Sequence, residues 1–379
     1  MAKNSTAENS HAAIPTWTWA APLVASILLA LKFLHVIPSD ATAVLVLAGI
    51  LLAASVFAAV HHAEVLALKL GEPFGSILLA IAVTVIEVAL IVSIMVSGAE
   101  GSDSVARDTV FAAVMIVLNG VVGLCLIMGG RRHFEQTFQL QGASSALAVL
   151  GTLAALALIL PNYTLTVLGP SYSPVQAIVV GFASLLLWCV FVFVQTVKHR
   201  NYFLDDIDDT EEVAEANEAA GHHHPPPSDT EAAICLGLLL VSLTAVVLLA
   251  KALSPSLDSG VQAAGLPQSF VGVVIAAIVL LPEGLAAAKS ALRNQLQNSI
   301  NLALGSAIAS IGLTIPTVAV VAIILSQNLT LGISAANVTL LVLTLFVSTL
   351  TLGTGRTTVL QGAIHLVIFA MFLLVSAIP

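Results

Sequence analysis

Charge is what this chain has least of. Only 9% of its 379 residues are Asp, Glu, Lys or Arg, against 58% hydrophobic, whereas a soluble domain carries roughly 25% charged residues to solvate its surface. With a mean hydropathy of +1.04, the chain cannot cover itself with polar groups, so lipid must be its main solvent. Cysteine is scarce too. Cys125, Cys189 and Cys235 each stand alone in an apolar run, which argues against a disulfide framework or a thiolate zinc site. Basic residues are outnumbered 12 to 21, for a net charge of −9, and this argues against nucleic acid as a partner. The segment from Met1 to about Thr16 lacks the basic n-region and short apolar core of a cleaved signal, so the first apolar run is expected to be retained.

A membrane helix needs about 20 mostly apolar residues to cross a core roughly 30 Å thick. Apolar runs between polar punctuation give eleven candidates, at 17–36, 41–61, 75–97, 109–129, 144–160, 175–197, 232–253, 269–289, 298–325, 334–352 and 358–377. Basic residues test the count, because they collect on the cytoplasmic side. With the N-terminus inside, nine fall on the inner side: Lys3, Lys69, Arg131, Arg132, Lys198, Arg200, Lys289, Arg293 and Arg356. Only Lys32, Arg107 and Lys251 fall outside. The expectation is an all-α, multi-pass protein of the plasma membrane (a bacterial inner membrane) with a cytoplasmic N-terminus. A homo-oligomer is left open.

Span three begins Gly71-Glu72-Pro73-Phe74-Gly75 and runs on to Glu87. Span eight begins at Gly265-Leu266-Pro267 and runs past Gly272 to Glu283. Five spans separate the two, so they enter the membrane from opposite faces. Spans two to six and seven to eleven then form an inverted pair, which commonly places cargo near the midplane between halves. This divides the chain into a tail (1–16), an extra first helix (17–40), a first repeat (41–197), a cytoplasmic loop (198–231) and a second repeat (232–379).

At 1.5 Å per residue both acids lie near mid-bilayer. A carboxylate there costs at least about 2.5–3.5 kcal/mol and reads by default as functional. The bland alternative is a protonated structural acid bonded to a neighbour. Of the 21 acids, Glu87 and Glu283 are the two deep within predicted spans. Two facing carboxylates cannot both stay charged unless a cation or protons neutralise them, and that competition is the chemistry of an antiporter.

Neutral oxygens nearby are expected to support the pair: Thr84, one turn before Glu87; Asn119 in span four; Ser306 and Ser310 in span nine; Asn298 and Asn301 at its entrance. Pro282 removes a helical N–H beside Glu283 and frees a carbonyl. For Asn119 a helix–helix hydrogen bond is the competing reading, and for the serines ordinary small-residue packing. His61, His62 and Glu64 read as an interfacial polar cap or a proton relay. Trp17, Trp19 and Trp188 read as interfacial or lipid-facing anchors.

Ten of the acids crowd between Asp205 and Glu231. Asp205, Asp206, Asp208, Asp209, Glu211 and Glu212 form either a solvated linker or a peripheral, regulatory calcium site. His222, His223 and His224, followed by three prolines, read as a flexible tail or a weak metal site.

These phrases resemble the calcium/cation antiporter superfamily, most closely the ChaA-type calcium:proton antiporters. The resemblance rests on His61-His62-Ala63-Glu64-Val65-Leu66-Ala67, Gly71 to Gly75, Ala82 to Ile91, Ala106 to Met115, Leu281-Pro282-Glu283-Gly284-Leu285 and Asn298 to Ser310. It implies ten core helices in two inverted halves plus an extra first helix. It also implies efflux of calcium, or of sodium and potassium, driven by inward protons, with Glu87 and Glu283 as the paired acids and no cofactor. Relatives carry an Asn three residues before each acid, where this chain has Thr84 and Leu280. A passive cation channel lined by the same acids is the alternative. An intramembrane metalloenzyme on His61, His62 and Glu64 lacks a His-Glu-x-x-His helix.

Overall fold

The computed structural model describes residues 15–36, 41–71, 74–98, 101–204 and 227–379. The tail before Pro15, the phrase Glu72-Pro73, the acidic run Asp205 to Glu212 and His222 to His224 lie outside them. Among the described residues eleven helices are long and apolar enough to cross a membrane. They are α1 (Thr16–Phe33), α2 (Thr42–Leu70), α3 (Phe74–Ser97), α4 (Val105–His133), α5 (Leu140–Tyr163) and α6 (Pro174–Lys198). The second half supplies α7 (Asp229–Ala263), α8 (Phe270–Leu292), α9 (Leu296–Ile324), α10 (Ala335–Leu352) and α11 (Val359–Ala377).

Helices are what lipid demands, because a backbone without water must bond to itself. Their ends are closed by polar residues. Ser173 and Gln176 form a capping box on α6, Ser228 and Glu231 on α7, and Thr358 and Gln361 on α11; each satisfies otherwise orphaned N–H groups.

Several helices differ in length from expectation, α2, α4 and α7 for identifiable reasons. α2 does not stop at His61 but runs through Glu64 and ends at Gly71, whose φ of 68° takes the left-handed turn that favours glycine. α7 continues through Pro255, where a break was expected. One missing N–H did not stop it, and Ser259 Oγ donates to the Pro255 carbonyl at 2.8 Å in the next turn. α4 extends at both ends and widens into a π segment over Ile116–Val121.

Helices α2–α6 and α7–α11 are the two inverted repeats. α3 packs on α9 and α8 packs on α4, the same contact with the halves exchanged. These four helices form the centre. α2 and α7 lie along each other and meet the centre chiefly through α3. α1 packs outside them, tied by Lys32 Nζ to the Ala252 carbonyl (3.2 Å) and by His62 Nε2 against the Thr18 carbonyl (3.2 Å).

Loops join the halves at both faces. On one, Gln136 Nε2 donates to the Ala291 carbonyl (2.9 Å) and the Gln139 amide donates to Gln297 Oε1 (2.7 Å). There β1 (Gln136–Thr137) also pairs antiparallel with β2 (Arg356–Thr357). On the other, the Thr330 amide donates to the Asp103 carbonyl (3.1 Å) and Gln327 Nε2 to that of Met95 (3.3 Å).

The crossing of α8 over α4 depends on Gly272. A Cβ there would stand 2.8 Å from Asp108 backbone and side-chain carbons, and backbone cannot give way cheaply. Gly272→Val should therefore cost about 1–3 kcal/mol through overpacking and lower the thermal midpoint of the purified protein. Gly49→Val, with nothing within 4 Å of its Cβ position, should leave that midpoint unchanged in the same melting experiment.

Candidate functional site

Glu87 stands 13 residues beyond Phe74, the first residue of α3, and Glu283 stands 13 beyond Phe270, the first residue of α8. Equal depth in helices that enter from opposite faces brings the acids to one level. Both are buried, at 2% and 5% exposure.

One helix holds them both. Ser310 Oγ donates to Glu87 Oε1 at 2.7 Å, and Ser306 Oγ donates a short hydrogen bond to Glu283 Oε2. The two serines are four residues apart on α9, so their hydroxyls face the same way with about 6 Å of rise between them. The carboxylates thus meet adjacent turns of α9, one acid from each half. Gly305 and Ala307, flanking Ser306, are small enough to let neighbouring backbones approach.

The polar groups here are not fully paired. Among the described residues Glu283 Oε1 is buried with no hydrogen-bond partner, and so is Thr314 Oγ1, one further turn along the same face of α9. A buried carboxylate oxygen left without a donor costs free energy until a proton or cation meets it. Pro282 lies buried within α8 and leaves the Ile278 carbonyl without its usual helical donor. A freed carbonyl, an unpartnered carboxylate oxygen and the serine hydroxyls are oxygen groups of the kind that hard cations and protons take.

The other expected supporting residues do not join the acids. Thr84 is buried one turn below Glu87, but its hydroxyl donates to the Ala80 carbonyl of its own helix (2.8 Å). Asn119 donates to Thr344 Oγ1 (2.9 Å) and its Oδ1 faces His365 Nδ1 at 3.0 Å. Asn298 is exposed at the start of α9. Asn301 donates to the Phe203 carbonyl (2.5 Å) and accepts from Gln297 Nε2 (2.8 Å), within the seam that ties the halves.

His61 and His62 belong to the packing of α1 on α2. The His61 ring lies 5.9 Å from that of Trp17, and His62 faces the Thr18 carbonyl. Among the described residues no three His, Cys, Asp or Glu side chains gather as a metal site. Trp17 and Trp19 are exposed as anchors would be. Trp188 instead packs on Gly312 of α9, because that glycine leaves a slot the indole fills.

The residue that sequence reasoning missed is His365. It is 1% exposed, bonded to Asn119 and, through Nε2, to Thr351 Oγ1 at 3.1 Å. A lone histidine inside the apolar run of α11 was the available signal, since an ionisable side chain at membrane depth asks for a reason.

The profile of the family described as "Sodium/calcium exchanger protein" matches residues 41–197 and 234–378. An ionic transporter of Sinorhizobium fredii, y4hA, is 55% identical over 366 residues, 97% of either chain. The sodium-potassium/proton antiporter ChaA of Escherichia coli is 35% identical over 334 residues, 87% of either chain. Among solved structures, native YfkE shares the fold with a TM-score of 0.70 at 15% identity, covering 96% of this chain and 100% of its own. The H+/Ca2+ exchanger CAX follows at 0.66 and 14%, covering 95% and 89%. With a family match over most of its length and two relatives this similar end to end, the chain belongs to the sodium/calcium exchanger family: it is a multi-pass membrane transporter and not an enzyme.

Proposed function

We propose that this protein exports calcium, with sodium or potassium as further cargo, in exchange for protons by alternating access at Glu87 and Glu283. The observation that carries this reading is the pair itself: two buried carboxylates from opposite halves, held on adjacent turns of α9, with one oxygen left unpartnered. Oxygen donors of this kind suit hard cations. The E. coli relative, a sodium-potassium/proton antiporter by name, supports proton coupling and the monovalent cargo.

The cycle follows from charge. With a cation bound, or with protons bound, the pair is neutralised and the site can pass between its two openings cheaply. Empty and charged, it cannot, because bare carboxylates in a low-dielectric core carry a large penalty. The two forms exclude each other, so movement of cation one way requires movement of protons the other way. The inverted repeat supplies two equivalent arrangements, one open to each side. The bias of basic residues, nine against three, supports a cytoplasmic N-terminus in a bacterial inner membrane, so that inward protons drive cation export.

Everted vesicles given a pH difference should accumulate calcium-45 against its gradient, and Glu87→Gln or Glu283→Gln should reduce this to background while preserving insertion. Undiminished exchange in either variant sinks the assignment, and uptake that never exceeds equilibrium makes the protein a passive channel. Protons compete for the same oxygens, so the apparent KM for cation should rise as pH falls, approaching about tenfold per pH unit for each proton displaced. A KM independent of pH would contradict a shared site. Ser310→Ala and Ser306→Ala each remove one donor from a carboxylate and tip the competition toward the proton. Each should raise the KM about fivefold, equivalent to roughly 1 kcal/mol, with little change in maximal rate.

A further inference from the structure

Away from the acids, the second polar cluster in the membrane interior is built on His365. Asn119, Thr344, Thr351 and His365 are all at most 3% exposed, and they come from α4, α10 and α11. Their hydrogen bonds run in one consistent order. An amide oxygen only accepts, so His365 Nδ1 carries the proton toward Asn119 Oδ1 (3.0 Å), and Nε2 accepts from the Thr351 hydroxyl (3.1 Å). Asn119 Nδ2 then donates to Thr344 Oγ1 (2.9 Å), which leans on Met115 Sδ (3.4 Å). A neutral imidazole satisfies both of its neighbours.

Simple helix packing would not require four buried polar side chains, since apolar residues of similar volume serve as well or better. The location suggests what the cluster does. Asn119 lies in the π segment Ile116–Val121, and π segments are short, locally widened turns frequently found at functional sites. Asn119 stands 14 residues beyond Val105, the start of α4, as Ser310 stands 14 beyond Leu296, the start of α9. In the second half that position reaches an acid. In the first half it reaches His365.

The same π turn packs on α8, the helix that carries Glu283. Val121 Cγ2 lies 3.2 Å from where a Cβ of Gly284 would be, and Gly284 directly follows Glu283. On its other side, a Cβ on Gly120 would stand 3.3 Å from the Phe369 ring of α11, and one on Gly123 would stand 2.9 Å from His365 Cβ. Contacts therefore run from His365 through the π turn to Gly284, the residue next to Glu283 on α8.

We propose that His365 is a positioning residue for the acid site: by holding Asn119 it fixes the π turn of α4 and so the surface on which α8 packs at Gly284, beside Glu283. This rests on the exchange reading above and extends it to a residue that touches neither acid. Loss of the imidazole lets Asn119 and the π turn relax, so Glu283 meets cation in a less defined geometry.

The test is cation-driven proton flux in proteoliposomes of purified full-length protein, with calcium and sodium in separate arms. His365→Phe should raise the apparent KM about five- to twentyfold with maximal rate within about twofold of wild type. His365→Gln, whose amide can still donate to Asn119, should return the KM to within about threefold of wild type. A wild-type KM in His365→Phe, or equal impairment by Phe and Gln, overturns the proposal. Should His365→Phe fail to insert, Thr351→Val carries the test. It removes one hydrogen bond and keeps the shape, so a smaller rise in KM is expected, and an unchanged KM refutes the idea. Absence of exchange in wild type, or exchange that survives Glu283→Gln, is instead a failure of the acid-site reading.

Discussion

Two carboxylates buried where water does not reach must each find a donor, and in this protein both find it on α9. Ser306 and Ser310 are one turn apart, so α9 has to lie against α3 and α8 at once, and much of the central packing serves that requirement. Gly305 and Ala307 keep the helix surface small beside Ser306. Gly312 admits Trp188 on the face toward α6, and Gly272 lets α8 cross α4 at backbone contact. Polar loops fasten the halves at both faces, which keeps the four central helices in register while the acids remain incompletely paired.

The repeat is symmetric in its helices and asymmetric in its chemistry. Exchange of halves maps α3 onto α8 and α4 onto α9, and the acids obey that mapping residue for residue. The donors do not. α9 supplies a hydroxyl to each acid, whereas the matching positions of α4, Met115 and Asn119, turn to α10 and α11. Met115 has no hydroxyl to offer, and Asn119 lies inside the π segment, where a wider turn changes the angle at which a residue leaves the helix. Glu283 keeps one oxygen without a partner among the described residues.

What sequence could and could not foretell follows the same physical lines. Spans are legible because lipid imposes length and apolarity on each helix separately, and Glu87 and Glu283 are legible because depth alone makes a charge costly. Ser306 and Ser310 were visible as hydroxyls on the helix after an acid. Thr84 had the right spacing, but a threonine in a helix can satisfy itself on the carbonyl four residues back, as it does with Ala80. The place of Asn119 depends on a π turn that no 3.6-residue period conveys. Its partner His365 lies 246 residues away in the chain. The end of α7 was misread at Pro255 for a simpler reason. A proline removes one hydrogen bond, and a long helix with intact turns on either side can bear the loss.

The two buried polar clusters differ in the property that separates framework from site. From the Thr351 hydroxyl through the imidazole and the Asn119 amide to Thr344 each link is a hydrogen bond, although the Ser348 hydroxyl on the same face of α10 is buried without a partner among the described residues. Paired neutral links of that kind lose pairing if a proton or ion intrudes. Around Glu283 the count does not close. Among the described residues Glu283 Oε1 has no partner, and neither has the Thr314 hydroxyl one turn past Ser310. On the exchange reading proposed above, a carboxylate oxygen in that state gives a cation or proton a free-energy reason to enter the membrane interior, which a neutral, paired imidazole does not.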